Sequence, residues 1–529
     1  MRITNKIMQN NSLSNINGNK VSQDKLNTMM STQKKITKPS DDPVIAIRAL
    51  RLRSSVTTIT QYHEKNVPDA RSWLEVTEDS LKNVTDVLTD MISQVTKGST
   101  ESLTTSDREV IIEQLKELRD ELYATGDADY AGRYIFTGYR TDIPLSFGEL
   151  TEKKYTITEQ VNSSVIDEIM HINTKVNNTS NDLTDLNDSN YTGNDYSGIT
   201  EQNSVNATTL HRIRLSYSDC SAEAADAPVI SYTDTTVTPP QEASYRAEVK
   251  HSYDVPDPYE QVPEDGVVFL ADTGELLLGE KAYSNLLNTK DNIVTSNANE
   301  SEIRITYSKS EWDKGELRPE HYFACEAEDG NGGVIEYNQG YLTYGHSRQS
   351  MRYDVGFNQT IEINTTADEC YTHDIGREVD DLINTMQQMV EIEKTISTVE
   401  TTMKTLSESD PDYASKKETL QAQLDAVNKA YAFAKEKVEK EFTSGITSMQ
   451  GYLDRTNLAL TNCGTRGAKL DLIESRLMSQ QTTFETLQSN NEDADITEVA
   501  IKLNSAELTY EASLMATGKI MQTSLLNFI

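Results

Sequence analysis

From Ile45 to Val95, small and apolar residues return at alternating steps of three and four: Ile45, Ala49, Leu52, Val56 and Ile59, then Ala70, Trp73, Thr77, Leu81, Val84, Leu88, Met91 and Val95. A 3-4 repeat lays these side chains along one side of an α-helix and requires a second helix to cover them. The stretch is therefore constrained to a long helix in a helix-on-helix packing. Its start is written just upstream, in KPSDDPVIAIRA from Lys38 to Ala49. Asp42 can accept from the free amides of a first turn, and Pro43 stands where its missing N–H costs nothing. His63 and Asn66 fall on the same series, and Pro68 lies inside it. An interior proline costs a helix about 3 kcal/mol, which predicts a kink or a restart there.

The C-terminal end carries a matching stripe. From Asp495 onward, Ile496, Val499, Leu503, Ala506, Tyr510, Leu514, Met521, Leu525 and Phe528 trace one apolar line. A final turn so apolar is not expected to sit in water. Residues 1 to 36 hold only sparse apolar positions, among them Ile3, Ile7, Leu13, Ile16 and Val21, amid Asn and Ser. Alone they bury too little to offset chain entropy, so they are expected to order against the C-terminal stripe and neighbouring subunits.

Between these arms the pattern changes twice. Val110 to Tyr123 reads as a short helix capped by Ser106 or Asp107, and GRYIFTGYRTD as a turn-strand-turn punctuated by Gly132 and Gly138. Residues 149 to 373 then alternate in short runs: Tyr155 to Ile157, Ile213 to Tyr217, Val267 to Leu270, Ile303 to Tyr307, Val334 to Tyr337 and Thr360 to Ile363. Such runs between Gly, Pro, Asn and Asp clusters are strand signals, with 173 to 208 and 219 to 263 read as loops. Helical periodicity returns at Ile375, breaks at Pro411 and resumes from Leu420 to Phe442 along Leu424, Val427, Tyr431, Ala434 and Val438, which predicts a helical hairpin. A separate long helix is expected from about Ile446 to Leu487, with Gly464 and Gly467 counting against its continuity.

The fold class is thus mainly α, with long N- and C-terminal helices paired as a coiled-coil bundle and a β-rich inserted domain. The expected divisions are an N-terminal assembly helix (1–40), the first half of a helical core (41–148), an acidic outward-facing β-rich insert (149–373), the hairpin (374–445), the second half of the core (446–490) and a C-terminal assembly helix (491–529).

Charge follows the same partition. The formal net charge is −35, yet residues 1 to 140 balance 19 Lys and Arg against 19 Asp and Glu, and residues 141 to 450 carry −31. So acidic a surface argues against nucleic acid and anionic membrane as partners, although the first 65 residues are locally basic with 11 against 4. After Arg2 and Lys6 no apolar core of a secretory signal follows, and no later run is long enough to span a bilayer. Cys220, Cys325, Cys370 and Cys463 lie too far apart for a metal knuckle or a disulfide framework and read as free thiols.

Chemistry-bearing motifs occur only as fragments. His63 and Glu64 begin a zinc-protease pattern whose fifth position is Val67. Asp188, Asn190, Thr192 and Gly193 echo a calcium loop that ends in Ile199 instead of Glu. His321 with Cys325, and Cys370 with His373, are isolated pairs. No cofactor, metal site or catalytic residue is expected, and the chain does not read as an enzyme.

Several ordered segments at both ends resemble the bacterial flagellin family: MRITNKIMQNN, KPSDDPVIAIRALRLRSSV, QYHEKNVPDARSWLEVTEDSL, GRYIFTGYRTD and LTYEASLMATGKIMQTSLLNFI, with a looser echo in SRQSMRYDVGFNQTIEINTTADECY. Within that family they are most similar to the hook-associated branch. The resemblance implies a structural part of the flagellum that joins hook to filament, outside the cell. It also implies self-association into a ring and contacts with a neighbouring hook-associated protein and flagellin. Export would run through the flagellar type III apparatus, with an export chaperone and without a Sec signal. The residues expected to carry assembly are Ile3, Ile7, Ile16, Asp41, Asp42, Arg48, Leu52, Val56, Ile59, Trp73, Leu503, Tyr510, Leu514, Leu525 and Phe528. A divergent filament flagellin, or an enzymatic or adhesive insert on a flagellin scaffold, are the alternatives. The 374–445 hairpin is longer than that branch leads one to expect.

Overall fold

A computed structural model of the chain describes residues 5–100, 103–173, 205–234, 237–238, 241–254, 257–287, 303–329, 332–344, 348–409 and 413–522. The chain divides into two compact units. The first gathers Met1–Arg71, Tyr353–Ile361 and Ala468–Ile529; the second holds Ser72–Arg352 and Glu362–Gly467. The calcium-loop echo at 188–199 lies outside the described residues.

The first unit is built from the two ends of the chain. Helix α1 spans Asn5–Thr32, α2 spans Pro43–Gln61, and α9 spans Ile496–Gln522. Asp42 caps α2 by accepting from the amides of Val44 and Ile45, with Pro43 in the first turn, as the sequence predicts. Next comes a π-helical turn at Tyr62–Asn66, in which the Val67 amide bonds the Tyr62 carbonyl, and α3 then runs over Val67–Gly98. This is how the chain accommodates Pro68: the irregular turn ends just before it, so the proline enters at the head of a new helix. Every position of the 3-4 series from Ile45 to Val95 is buried or half-buried. In the first unit α2 lies along the last part of helix α8, Tyr413–Glu492, where Asn491 Nδ2 donates to the Ile45 carbonyl at 3.2 Å and Gln481 Nε2 to Thr60 Oγ1 at 3.5 Å. Arg71 pairs there with Asp471 at 2.7 Å and with Glu474. Strands β14 (Arg352–Gly356) and β15 (Gln359–Glu362) form a hairpin whose Asp354 carbonyl accepts from Asn66 Nδ2 at 2.7 Å.

The second unit joins a helical bundle to a two-sheet sandwich. Helix α4, Thr105–Thr125, is capped by Thr104, and Asp107 closes the capping box instead of being the cap itself. Helix α7, His373–Thr405, packs beside α4. The expected hairpin limb and the expected core helix turn out to be one 80-residue helix, α8. From Phe442 to Glu492 its covered positions keep one unbroken 3-4 phase through Gly445, Thr456, Cys463 and Arg466. The apolar letters lapse at Gly445, Thr456 and Arg466, and again at Gln481, Gln488 and Glu492; the first lapse, at Gly445, is where the sequence reads as two helices. Gly464 and Gly467 sit within it without interruption.

The hairpin seam keeps Val427, Ala434 and Val438 of the expected stripe and differs by one residue at the other two positions. Gln423, Val427, Ala430, Ala434 and Val438 are buried, whereas Leu424 and Tyr431 are half-buried. Gln423 is 1% exposed and, among the described residues, neither of its side-chain polar atoms has a partner. A buried amide without hydrogen bonds carries its full desolvation cost, so Gln423→Leu is expected to stabilise the hairpin by about 1–2 kcal/mol. Thermal unfolding followed with hydrogen exchange at 413–442 measures this; a destabilised hairpin would contradict it.

The short hairpin β1 (Asp129–Tyr130) and β2 (Arg133–Tyr134) turns through Ala131 and Gly132, both at positive φ. The sandwich follows. Its six-stranded sheet runs β13 (Val334–Tyr337), β12 (Ala324–Glu328), β3 (Thr151–Val161), β11 (Ile303–Trp312), β6 (Val229–Asp234) and β7 (Gln241–Arg246). The five-stranded sheet runs β4 (Ile166–Asn173), β5 (Asn206–Arg214), β10 (Glu275–Leu278), β9 (Val267–Leu270) and β8 (Glu248–Lys250), antiparallel except between β8 and β9. Tyr155, Ile157, Ile305 and Tyr307 of the first sheet share one core with Ile213, Phe269, Leu276 and Leu278 of the second. Trp312 fills its end against Phe147, Tyr155 and Tyr217. The loop expected over 219–263 in fact holds β6, β7 and β8. β7 is an edge strand with four of its six residues exposed, so it carries little apolar signal. Helices α5 (Glu280–Leu287) and α6 (Tyr341–Tyr344) complete the described elements.

Candidate assembly interface

In the first unit α1 and α9 lie antiparallel. An antiparallel bridge joins Lys34 to Asp493, and farther along Asn19 Nδ2 donates to Ser513 Oγ at 2.9 Å. The covered positions of α9 are Val499, Leu503, Ala506, Tyr510, Ser513 and Thr517, and they face half-buried Ser12, Ile16, Asn19, Gln23 and Leu26 of α1. Both series keep the 3-4 step. The expected stripe joins this seam only at Val499, Ile496 being exposed, and leaves it after Tyr510, because following apolar letters selects Leu514 whereas the helix phase selects Ser513. Leu514 is accordingly 45% exposed. Opposite the seam, Ile501, Leu508 and Met515 recur every seven residues at 66%, 68% and 69% exposure, and α1 shows Ile7, Leu13 and Val21 to solvent. Sequence reading missed this second stripe because the inward and outward series interleave within one helix.

The turns joining this pair to α2 and α8 form a clasp. The Lys35 amide donates to the Glu492 carbonyl at 2.7 Å and the Ala494 amide to the Gln33 carbonyl at 2.9 Å. Gln33 takes a positive φ to permit it. The Glu492 carboxylate, 2% exposed, accepts from Arg53 Nε at 2.8 Å and from its terminal nitrogen, with Lys34 Nζ 3.7 Å away. Asn491 Nδ2 reaches the Ile45 carbonyl at 3.2 Å, and Asp495 caps α9 through the Thr497 and Glu498 amides.

Of the residues proposed for assembly, Ile3, Leu525 and Phe528 lie outside the described residues. Ile16, Leu503 and Tyr510 lie on the α1/α9 seam at separate levels; Leu52, Val56 and Ile59 lie on the covered side of α2. Asp41 stays exposed and folds the 37–41 turn, accepting from the Lys38 and Thr37 amides at 2.9 and 3.1 Å, bonds that lower its carboxyl pKa. Arg48 is exposed on α2 between Ile47 and Leu50, which are 55% and 62% exposed. Trp73 belongs to the second unit, where it is buried beside Tyr130 with the Arg133 guanidinium 5.0 Å from its ring. Ile7 lies on the exposed side of α1 instead of the seam.

The second unit holds a dense polar cluster. Arg212 on β5 bonds Asp167, Glu275 and Asp381, while Arg214 reaches Asp381 at 2.5 Å and Glu378 at 3.3 Å. Burial pushes the Asp381 carboxyl up, but Arg212, Arg214 and Arg377 overcome this and hold it down at about 2. These contacts fasten the five-stranded sheet to α7. His373 is buried at the head of α7, its Nε2 2.8 Å from the Tyr217 hydroxyl, and burial lowers its pKa to about 3. All four cysteines are free and buried, and burial raises Cys220 to about 12 and Cys463 to about 11, far from a reactive thiolate. Among the described residues no group of three or more His, Cys, Asp or Glu is placed to hold a metal ion, and no helix is long and apolar enough to cross a membrane.

Residues 3–141 match the bacterial flagellin N-terminal helical region, in agreement with the resemblance carried by the opening segments. Flagellar hook-associated protein 3 of Salmonella typhimurium is 28% identical over 183 residues, 34% of this chain and 57% of that protein. The protein of the same name from Escherichia coli is 28% identical over 180 residues, 33% of this chain and 56% of its own length. The chain thus matches just over half the length of these curated relatives. A putative flagellar hook-associated protein from Vibrio parahaemolyticus aligns in structure over 86% of this chain and 100% of that one, at 13% identity and a TM-score of 0.33.

Proposed function

We propose that the chain is a non-enzymatic structural component of the bacterial flagellum that joins hook to filament through its paired terminal helices. The observation that carries this reading is the α1/α9 pair, closed along a half-polar seam while Ile501, Leu508 and Met515 line an apolar stripe left in solvent. Such a stripe suits burial between subunits at about 25 cal/mol per Å² of apolar area, so assembly contributes stability that one chain cannot supply alone. The partners proposed are further copies arranged as a ring, a neighbouring hook-associated protein and flagellin. Export would run through the flagellar type III apparatus with a chaperone, and the final place is outside the cell. The acidic sandwich suits a solvent-facing position.

Deletion of the gene tests the reading by electron microscopy of cells and gel analysis of the medium. Hooks without filaments, with flagellin shed into the medium, are expected. Loss of the major filament subunit itself would instead make this chain the flagellin, and unchanged motile cells would overturn the proposal. Removing Leu525 to Ile529 is expected to give the same bare hooks from a soluble chain.

A further inference from the structure

The α1/α9 seam is poorly equipped to choose its own register. Sliding α1 by one heptad exchanges Ile16 for Gln9 or Gln23, and sliding α9 exchanges Tyr510 for Leu503 or Thr517, so apolar burial discriminates weakly between settings. Within the seam, the Asn19–Ser513 hydrogen bond is only part-buried. The clasp at the end of the pair is of another kind. It joins two backbone hydrogen bonds, a buried carboxylate gripped by Arg53 and Lys34, and a residue at positive φ.

We propose that the clasp sets the register of α1 on α9, with Glu492 as its positioning residue. The Glu492 carboxylate grips Arg53 of α2 with Lys34 3.7 Å away, while Lys34 itself pairs with Asp493 at 2.5 Å, so the second residue after α1 and the last of α8 keep one spacing. Counting outward from that fixed point brings Asn19 opposite Ser513 and turns Ile501, Leu508 and Met515 outward. Without it, neighbouring heptad settings approach the native one in free energy and the outward stripe loses its single position. This inference rests on the first unit alone; its failure would leave the flagellar reading untouched.

Cysteine capture in the full-length chain tests it, since the four native thiols are buried. One reporter pairs Asn19→Cys with Ser513→Cys, the native register; the other pairs Asn19→Cys with Ala506→Cys, one heptad away. With the clasp intact, the first pair is expected to close and the second to stay largely open. Glu492→Gln is expected to move the ratio of the two yields about tenfold toward the second, the scale of one lost charge-assisted hydrogen bond. Lys34→Ala removes a cation whose side chain is 39% exposed, so folding is retained; it is expected to shift the ratio in the same direction by less. Because Lys34 would face the new cation, the charge exchange is made in the Lys34→Ala chain, where Arg53→Glu with Glu492→Lys is expected to return the ratio to that of Lys34→Ala alone. An unchanged ratio in Lys34→Ala and in a folded Glu492→Gln chain would overturn the proposal. So would single variants that shift the ratio without rescue by the exchange.

Discussion

Arg212→Ala is expected to cost the second unit about 3–5 kcal/mol, the loss typical of removing one partner from a buried charge cluster. The guanidinium is 9% exposed and faces Glu275 at 8% and Asp381 at 21%. Truncation strands Glu275 away from water, with only the Tyr259 and Thr273 hydroxyls left to bond it. Asp381 keeps Arg214 and so suffers less. Replacing the pair together, Arg212→Met with Glu275→Leu, removes both desolvated charges and is expected to cost far less than the single truncation, although the Tyr259 hydroxyl then loses its acceptor. Urea unfolding of the three chains ranks them. A single truncation costing under about 1 kcal/mol would mean that the cluster behaves as a solvent-screened surface pair.

The second large effect concerns acid. His373 is held neutral by burial, with Arg377 adding a smaller push in the same direction, so its folded pKa of about 3 lies far below the ordinary 6.5. Below pH 6.5 the unfolded chain takes up a proton that the folded chain refuses, and stability falls with pH until the folded group titrates. By pH 4 this one residue is expected to remove roughly 3 kcal/mol. Glu159, Glu316, Glu378, Asp380 and Glu441 run the other way, because burial raises their folded pKa values and acid then favours the folded state. The His373 contribution is therefore read as a difference. Relative to His373→Gln, the natural chain is expected to lose stability between pH 6.5 and pH 4. Parallel pH profiles for the two chains would show that the imidazole stays solvated.

These polar groups were not legible as a cluster, and the reason is sequence distance. Arg212, Glu275 and Asp381 lie on β5, β10 and α7, and nothing in their local patterns announces a shared site. Glu492 is a similar case, one carboxylate at the end of a long helix whose partners stand more than 400 positions away. The isolated pair of Cys370 and His373 resolves in the same way: His373 bonds Tyr217, a residue that its own neighbourhood does not name.

What the sequence by itself determined is what depends on local period and local chemistry. The 3-4 series from Ile45 to Val95, the Asp42–Pro43 helix start, the interruption at Pro68 and the strands at Val267 to Leu270 and Val334 to Tyr337 all appear where their patterns place them. The match of residues 3–141 to the flagellin N-terminal helical region belongs with these, because ordered motifs are themselves local. Only the tertiary structure decided the rest. α8 is continuous because tertiary cover keeps its 3-4 phase through Gly445, Thr456 and Arg466, where apolar identity lapses. The same phase puts Ser513 on the seam and Leu514 outside it, since a rigid helix orients a side chain by its number and not by its hydrophobicity. The strands of 219–263 owe their place to hydrogen bonding along a sheet edge, a backbone interaction that polar side chains do not reveal.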